Sequence, residues 1–198
     1  MAADIARRAK ELGRTIEIDM EGSKYTDVTL DIFERVQREY GNVGLAIQAY
    51  LRRSGDDLRR LEPLRPKIRL VKGAYREPKD VAVQGKEAVD AAYRKLITQL
   101  MEGAARGIFF PAIGSHDHLM AVHAQTEADR LGVARDKYEF QMLYGIRRDL
   151  QRQVLNDGNL VQVYLSFGTD WCPWFMRRLA EKPGNCWFVV RSLMERKK

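Results

Sequence analysis

Arg69-Leu70-Val71-Lys72-Gly73-Ala74-Tyr75 joins a short β-type run to two cations, a glycine and an aromatic ring. That order suits the mouth of an α/β barrel. Strand ends there deliver side chains into a common cup, and glycine lets a ligand come close to the backbone. The stretch therefore predicts a strand whose C-terminal end handles an anionic small molecule.

Outward from this strand, five more apolar segments read as strands, at residues 15–19, 43–48, 108–113, 138–142 and 160–165, with the central one at 68–71. Helical spacing fills the intervals at 27–40, 55–61, 83–102, 118–131 and 147–156, and returns at 172–181. An amphipathic helix at 2–13 precedes the first strand, and Trp187-Phe188-Val189-Val190 reads as a further short strand or a packed tail. Repeated β–α alternation predicts parallel strands joined by right-handed crossovers. No GxGxxG follows any strand, which weakens a dinucleotide-binding open sheet. Polar residues follow strand after strand instead: Asp19 and Glu21, Gln48 and Tyr50, Lys72 and Tyr75, Ser115 and His116, Gln141 and Tyr144, then Tyr164. Ligand groups at many strand ends favour a (βα)8 TIM-barrel-like α/β fold, yet only six βα units are countable where a closed barrel has eight strands.

The chain has 198 residues, 45% hydrophobic and 31% charged, which is enough to bury one substantial core, and a single domain over 1–198 is expected. The net charge of +7 comes from dispersed arginine pairs and not from a basic block, so it describes a basic exterior better than a nucleic-acid surface. Cys172 and Cys186 lack CxxC spacing and suit a reduced, cytoplasmic protein. No apolar run approaches the ~20 residues that span a bilayer, which leaves peripheral contact with an inner membrane open.

Single motifs do not settle the chemistry. His116-Asp117-His118 has the form of a metal-binding HxH, but His123 is the one other histidine, so no metal site is expected. Ser115-His116-Asp117 cannot form a hydrolytic triad, because sequence neighbours cannot make the required hydrogen-bond chain. His116 is expected to donate a hydrogen bond to a ligand. Arg177-Arg178 suits a carboxylate clamp, with Tyr164, Phe167, Trp171 and Trp174 nearby in sequence.

Taken together, Ile18-Asp19-Met20-Glu21, Gln48-Ala49-Tyr50, Arg69 to Tyr75 with Glu77, His116, Phe140 to Gly145, Tyr164, and Arg177-Arg178-Leu179-Ala180-Glu181 closely resemble the proline dehydrogenase family. The match follows order and spacing along nearly the whole chain and is nearer the short monofunctional type than the fused proline-utilisation enzymes. The resemblance implies a distorted barrel that holds FAD, oxidises L-proline to Δ1-pyrroline-5-carboxylate and passes electrons to a quinone. It places Arg69 at the reactive edge of the flavin as a catalytic cation. Gln48, Lys72, Gly73, Ala74, Lys86, Ser115, His116, Gln141 and Glu181 would hold the rest of the cofactor. Arg177 and Arg178 would grip the substrate carboxylate, Tyr75, Leu143, Tyr164 and Trp174 would shape the ring slot, and Asp19 would support the charged network.

Departures from the family pattern carry expectations of their own. The family has two further strands before the Asp19 strand, the second bearing a substrate-binding lysine, so the first quarter of the barrel is expected to be missing and strands 3–8 present. A complementing N-terminal segment and a homo-oligomer are both left open. Trp174 stands where a tyrosine is usual, which raises 4-hydroxyproline as an alternative substrate. Ser166 replaces a proline, Ser115 a threonine, and Gly85 an arginine. A barrel remnant that binds ligand without turnover is the competing reading.

Overall fold

The computed structural model describes residues 1–168. The expected helix at 172–181, the tail at 187–190, and Trp174, Arg177, Arg178 and Glu181 lie outside the described residues. Among the described residues, six strands form one curled, wholly parallel sheet in the order β1 to β6. They are β1 (Ile16–Ile18), β2 (Val43–Gln48), β3 (Lys67–Val71), β4 (Phe110–Gly114), β5 (Glu139–Leu143) and β6 (Leu160–Tyr164). The helices are α1 (Ala2–Glu11), α2 (Thr26–Tyr40), α3 (Ser54–Leu61), α4 (Lys86–Ala105), α5 (His118–Leu131) and α6 (Arg148–Asn156). Each strand from β1 to β5 is followed by a helix before the next strand, and every neighbouring pair is parallel.

Strand β3 alternates in burial, whereas β2 is buried along its whole length. In β3, Ile68 and Leu70 are fully buried while Lys67, Arg69 and Val71 face the other side. The apolar face joins Leu45, Ile47, Ile113, Phe140 and Met142 in one core with Leu30 and Phe33 of α2 and Tyr93, Ile97 and Leu100 of α4. Each such buried side chain contributes roughly 2 kcal/mol through the water it sheds. Tyr93 lies wholly in this core, and its hydroxyl donates to the Leu70 carbonyl at 2.8 Å. Burial pushes the ionisation of that phenol far upward, so the hydroxyl remains a donor.

Element ends moved by a few residues for local reasons. Strand β4 starts at Phe110, later than expected, because the Ile108 amide closes the end of α4 on the Gly103 carbonyl at 2.8 Å. Pro111 sits within β4 without breaking a ladder: the pairing with β5 begins only at Ala112↔Glu139, so its missing N–H leaves no carbonyl unserved. Helix α4 begins at Lys86 and not at 83. Val83 donates to the Tyr50 carbonyl at 2.9 Å, and Ala82 bridges Leu51, which holds this segment against the β2–α3 loop.

Candidate functional site at the strand ends

Because all six strands are parallel, their C-terminal ends collect the predicted site residues on one side of the sheet. Arg69 lies on the lumen face between Ala46 and Ala112, its register partners on β2 and β4. These small neighbours leave room for a long side chain. Its guanidinium bonds the Asp19 carboxylate, and Nη1 lies 3.5 Å from Glu17.

Two residues beyond β3, Gly73 takes a φ of +124°, and a Cβ there would stand 2.4 Å from the Tyr50 ring. Only glycine meets both conditions. The Tyr50 hydroxyl accepts from the Tyr75 amide at 3.3 Å, while the Tyr75 hydroxyl reaches Glu21. Gln48 is nearly fully buried and ties two loops together. Its Nε2 donates to the Glu21 carbonyl at 2.9 Å, and its Oε1 accepts from the Ala74 amide at 3.2 Å. Glu77 completes the tie by accepting from the Ser23 amide at 2.7 Å and the Ser23 hydroxyl at 2.5 Å. The loops after β1 and β3 are therefore one connected rim.

Lys72 donates to Asp117 at 2.8 Å and to Asp90, and Asp90 also accepts from Lys86 at 2.6 Å. Burial works against ionisation of Asp90 and Asp117, but the lysine bonds outweigh it and hold both carboxyls below their ordinary range. Lys86 opens the 20-residue helix α4 with its side chain mostly in solvent. Gly85 gives that helix no side-chain cap, and its first turn carries Lys86 beside the acidic Glu87.

Ser115 accepts from the Asp117 amide at 3.2 Å, and Asp117 caps α5 through the Leu119 amide at 3.0 Å. His116 has one ring nitrogen engaged, which leaves the other to donate. Its Nε2 accepts from the Leu143 amide at 2.8 Å, which assigns the ring proton to Nδ1. Burial, aided by the Arg147 charge, pushes its pKa down to about 4, so the ring is neutral at pH 7. Gln141 directs Nε2 to Glu17 at 2.9 Å, Glu139 at 2.7 Å and Gln162 at 3.2 Å. Leu143 is partly buried beneath the loop that follows β5, and Tyr75 and Tyr164 are both exposed at the rim.

Beneath these residues lies a polar network that sequence reading passed over. Lys67 bonds Glu139 at 2.7 Å and Gln162 at 3.2 Å and lies 3.8 Å from Glu17. Period-two spacing was the available signal: Glu17 precedes Asp19, Lys67 precedes Arg69 and Glu139 precedes Gln141 by two residues each, so each pair shares a face. A cavity of about 320 Å³ opens between β1 and β6, lined by Glu17, Asp19, Lys67, Arg69, Gln162 and Tyr164 with Thr15 and Ile16.

A curled parallel βα sheet with charged side chains at the strand ends defines a TIM-barrel-like α/β protein with an ion-paired polar cup. The known proteins it matches narrow that class. The family described as proline dehydrogenase matches residues 1–191, and the chain belongs to it. It is 42% identical over 196 residues to proline dehydrogenase of Deinococcus radiodurans, covering 98% of this chain and 62% of that protein. Proline dehydrogenase 2 of Bacillus subtilis strain 168 is 41% identical over 182 residues, 91% of this chain and 58% of the relative. The chain thus spans about three fifths of these relatives. Among solved structures, a mutant of Bradyrhizobium japonicum proline utilization A superposes with a TM-score of 0.82 at 25% identity, covering 96% of this chain and 22% of that one. Proline utilization A of Bdellovibrio bacteriovorus, inactivated by N-propargylglycine, gives 0.78 at 26% identity, covering 84% and 19%.

Proposed function

We propose that this chain forms the catalytic cup of an FAD-dependent dehydrogenase that oxidises L-proline to Δ1-pyrroline-5-carboxylate and delivers the electrons to a quinone. The observation that carries the reading is Arg69, a guanidinium held on the lumen face at the end of β3 with Gly73 leaving the backbone open just beyond it. The donor set fits a flavin dinucleotide. Arg69 and Lys72 supply cations at the strand end, and Lys86 with the uncapped start of α4 suits phosphate oxygens. FAD supplies the hydride acceptor when bound.

The chain's own residues then bind and orient. Arg69 offers positive charge where electron density accumulates, an electrostatic contribution that needs no nucleophile. Lys72, Gly73, Ala74, Lys86, Ser115, His116 and Gln141 line the cofactor side, and Gln48 acts by holding the Glu21 and Ala74 backbones in place. Arg177 and Arg178 are assigned to the proline carboxylate, Tyr75, Leu143, Tyr164 and Trp174 to its ring, Glu181 to the cofactor, and Asp19 to steadying Arg69. The protein works in the cytoplasm and meets its quinone peripherally at the inner membrane. No helix among the described residues is long and apolar enough to cross a membrane.

The test is the flavin spectrum of the purified chain after FAD is supplied, before and after L-proline, with 4-hydroxyproline in parallel. Bound flavin whose absorbance bleaches with L-proline supports the proposal, and faster bleaching with 4-hydroxyproline moves the substrate to that analogue. A protein that stays colourless overturns it. One observation favours a second reading, ligand binding without turnover: β1 and β6 each pair on one side only among the described residues, leaving the cup open between them. Flavin that binds but never bleaches with either amino acid selects that reading.

A further inference from the structure

Glu17 lies on the lumen face of β1 and reaches across the sheet. Its Oε1 accepts from Gln141 Nε2 at 2.9 Å and stands 3.8 Å from Lys67 Nζ, while its Oε2 stands 3.5 Å from Arg69 Nη1. Strand β2 separates β1 from β3, a span of about 10 Å between the two backbones. The carboxylate crosses it over Gly44, the register partner of both Glu17 and Lys67. A Cβ at position 44 would stand 3.0 Å from Glu17 Cγ and 3.3 Å from Oε1. The φ of Gly44 is not positive, so the backbone there does not require glycine. A Cβ there would instead press on the Glu17 side chain and shift it by a few tenths of an ångström.

We propose that Glu17 is a positioning residue that sets the Arg69 guanidinium and the Gln141 amide, and that Gly44 is the gap through which it acts. Asp19 alone would hold Arg69 loosely, because its carboxylate is 67% exposed and screened by water, whereas that of Glu17 is 16% exposed. Glu17 joins the two side chains, from β3 and β5, on which the cofactor side of the cup depends. What Arg69 and Gln141 then do rests on the flavin reading above; that Glu17 sets them does not.

The full chain is labelled with 15N-arginine, and proton exchange at the Arg69 Nη–H groups, where Glu17 and Asp19 make their contacts, is followed by NMR, the resonances being assigned with Arg69→Lys. FAD affinity is measured separately by flavin fluorescence without proline. Glu17→Gln and Gly44→Ala are each expected to speed Arg69 exchange a few-fold, up to about tenfold, the scale of one weakened, largely buried ion pair, and to weaken FAD binding. The double variant is expected to go no further than either single one, since both act through one carboxylate. Gly44→Ala retains that carboxylate and serves should Glu17→Gln fail to fold. Arg69 exchange unchanged in Glu17→Gln, or a full added effect of Gly44→Ala in the Glu17→Gln background, overturns the inference. A parent chain that binds no FAD overturns the flavin reading alone, and the exchange data still decide Glu17.

Discussion

His116 shows how one ring can be held neutral to complete a loop. Its Nε2 accepts the Leu143 amide, its carbonyl accepts from Arg147 at 3.3 Å, and Gln151 binds the Leu143 carbonyl at 3.1 Å and the Ile146 carbonyl at 2.8 Å. The Leu143–Arg147 turn is thus fixed from both sides, including Arg147 at a φ of +49°. Burial first, then the Arg147 charge, lowers the ring from its ordinary 6.5 to about 4. Between those values the unfolded chain takes a proton that the folded chain refuses. The stabilisation is whole above pH 6.5, falls as pH drops through the interval and levels off below 4. That interval corresponds to about 3 kcal/mol. In His116→Asn the amide oxygen can still accept from Leu143, so urea unfolding midpoints followed from pH 7.5 to 4 should show a shallower decline than in the parent. Equal slopes would deny the ring its role. At Gly73 a methyl group meets both a positive φ and the Tyr50 ring. Gly73→Ala should cost about 2–4 kcal/mol in urea denaturation and loosen the rim that Tyr50 and Gln48 organise.

At the level of elements, strands β1, β3 and β5 put long polar side chains on the lumen face, while Gly44 and Ala46 of β2 and Ala112 and Gly114 of β4 are small. This alternation lets side chains meet across an intervening strand, as in the packed layers of a closed barrel. Lys67 and Glu139 form the lower layer at 2.7 Å, with their side chains 20% and 11% exposed. Removing Lys67 leaves Glu139, a largely buried carboxylate, with the Gln141 amide in place of its counter-charge, whereas removing both ends that cost at this pair. Lys67→Met should therefore destabilise by about 3 kcal/mol, and Lys67→Met with Glu139→Met should recover most of the loss. Equal unfolding free energies for the single and double variants would show that the pair is not coupled. The strand beat itself was legible because Ile68 and Leu70, like Leu45 and Ile47, recur at period two between helical runs. The strand-end residues Arg69, Lys72, His116 and Gln141 were legible for the same reason. The lower layer was not: a charged residue every second position looks the same whether its face meets bulk water or a curled sheet's interior. Glu17 and Lys67 needed the register to show that they meet. Asp90 and Asp117 needed the helix starts that bring them to Lys72.

At the scale of the whole sheet, its curvature without closure among the described residues is the governing fact. The sheet runs β1 to β6 without returning, so among the described residues the outer backbone groups of β1 and β6 face no neighbouring strand. Strand β6 pairs with β5 through all five of its residues and keeps Leu160 and Val163 exposed, with Leu165 exposed just beyond. A strand that pairs on one side only, as β6 does among the described residues, is a template for another strand, whether from a second copy or from a segment that completes the barrel. Such pairing would also cover the cavity between β1 and β6, whose lining includes Arg69 and Asp19. The chain alone is therefore expected to associate as its concentration rises. A charge on the free strand should oppose this: Val163→Lys, at a position 41% exposed, should weaken association about tenfold while leaving the core unchanged. Sedimentation velocity over a hundredfold range of concentration gives the monomer fraction, and circular dichroism checks the fold. A monomer fraction that does not change between parent and Val163→Lys would place the contact elsewhere than β6. A rise in that fraction, together with unchanged helix content, would identify the open edge of β6 as the surface through which this chain meets its next strand.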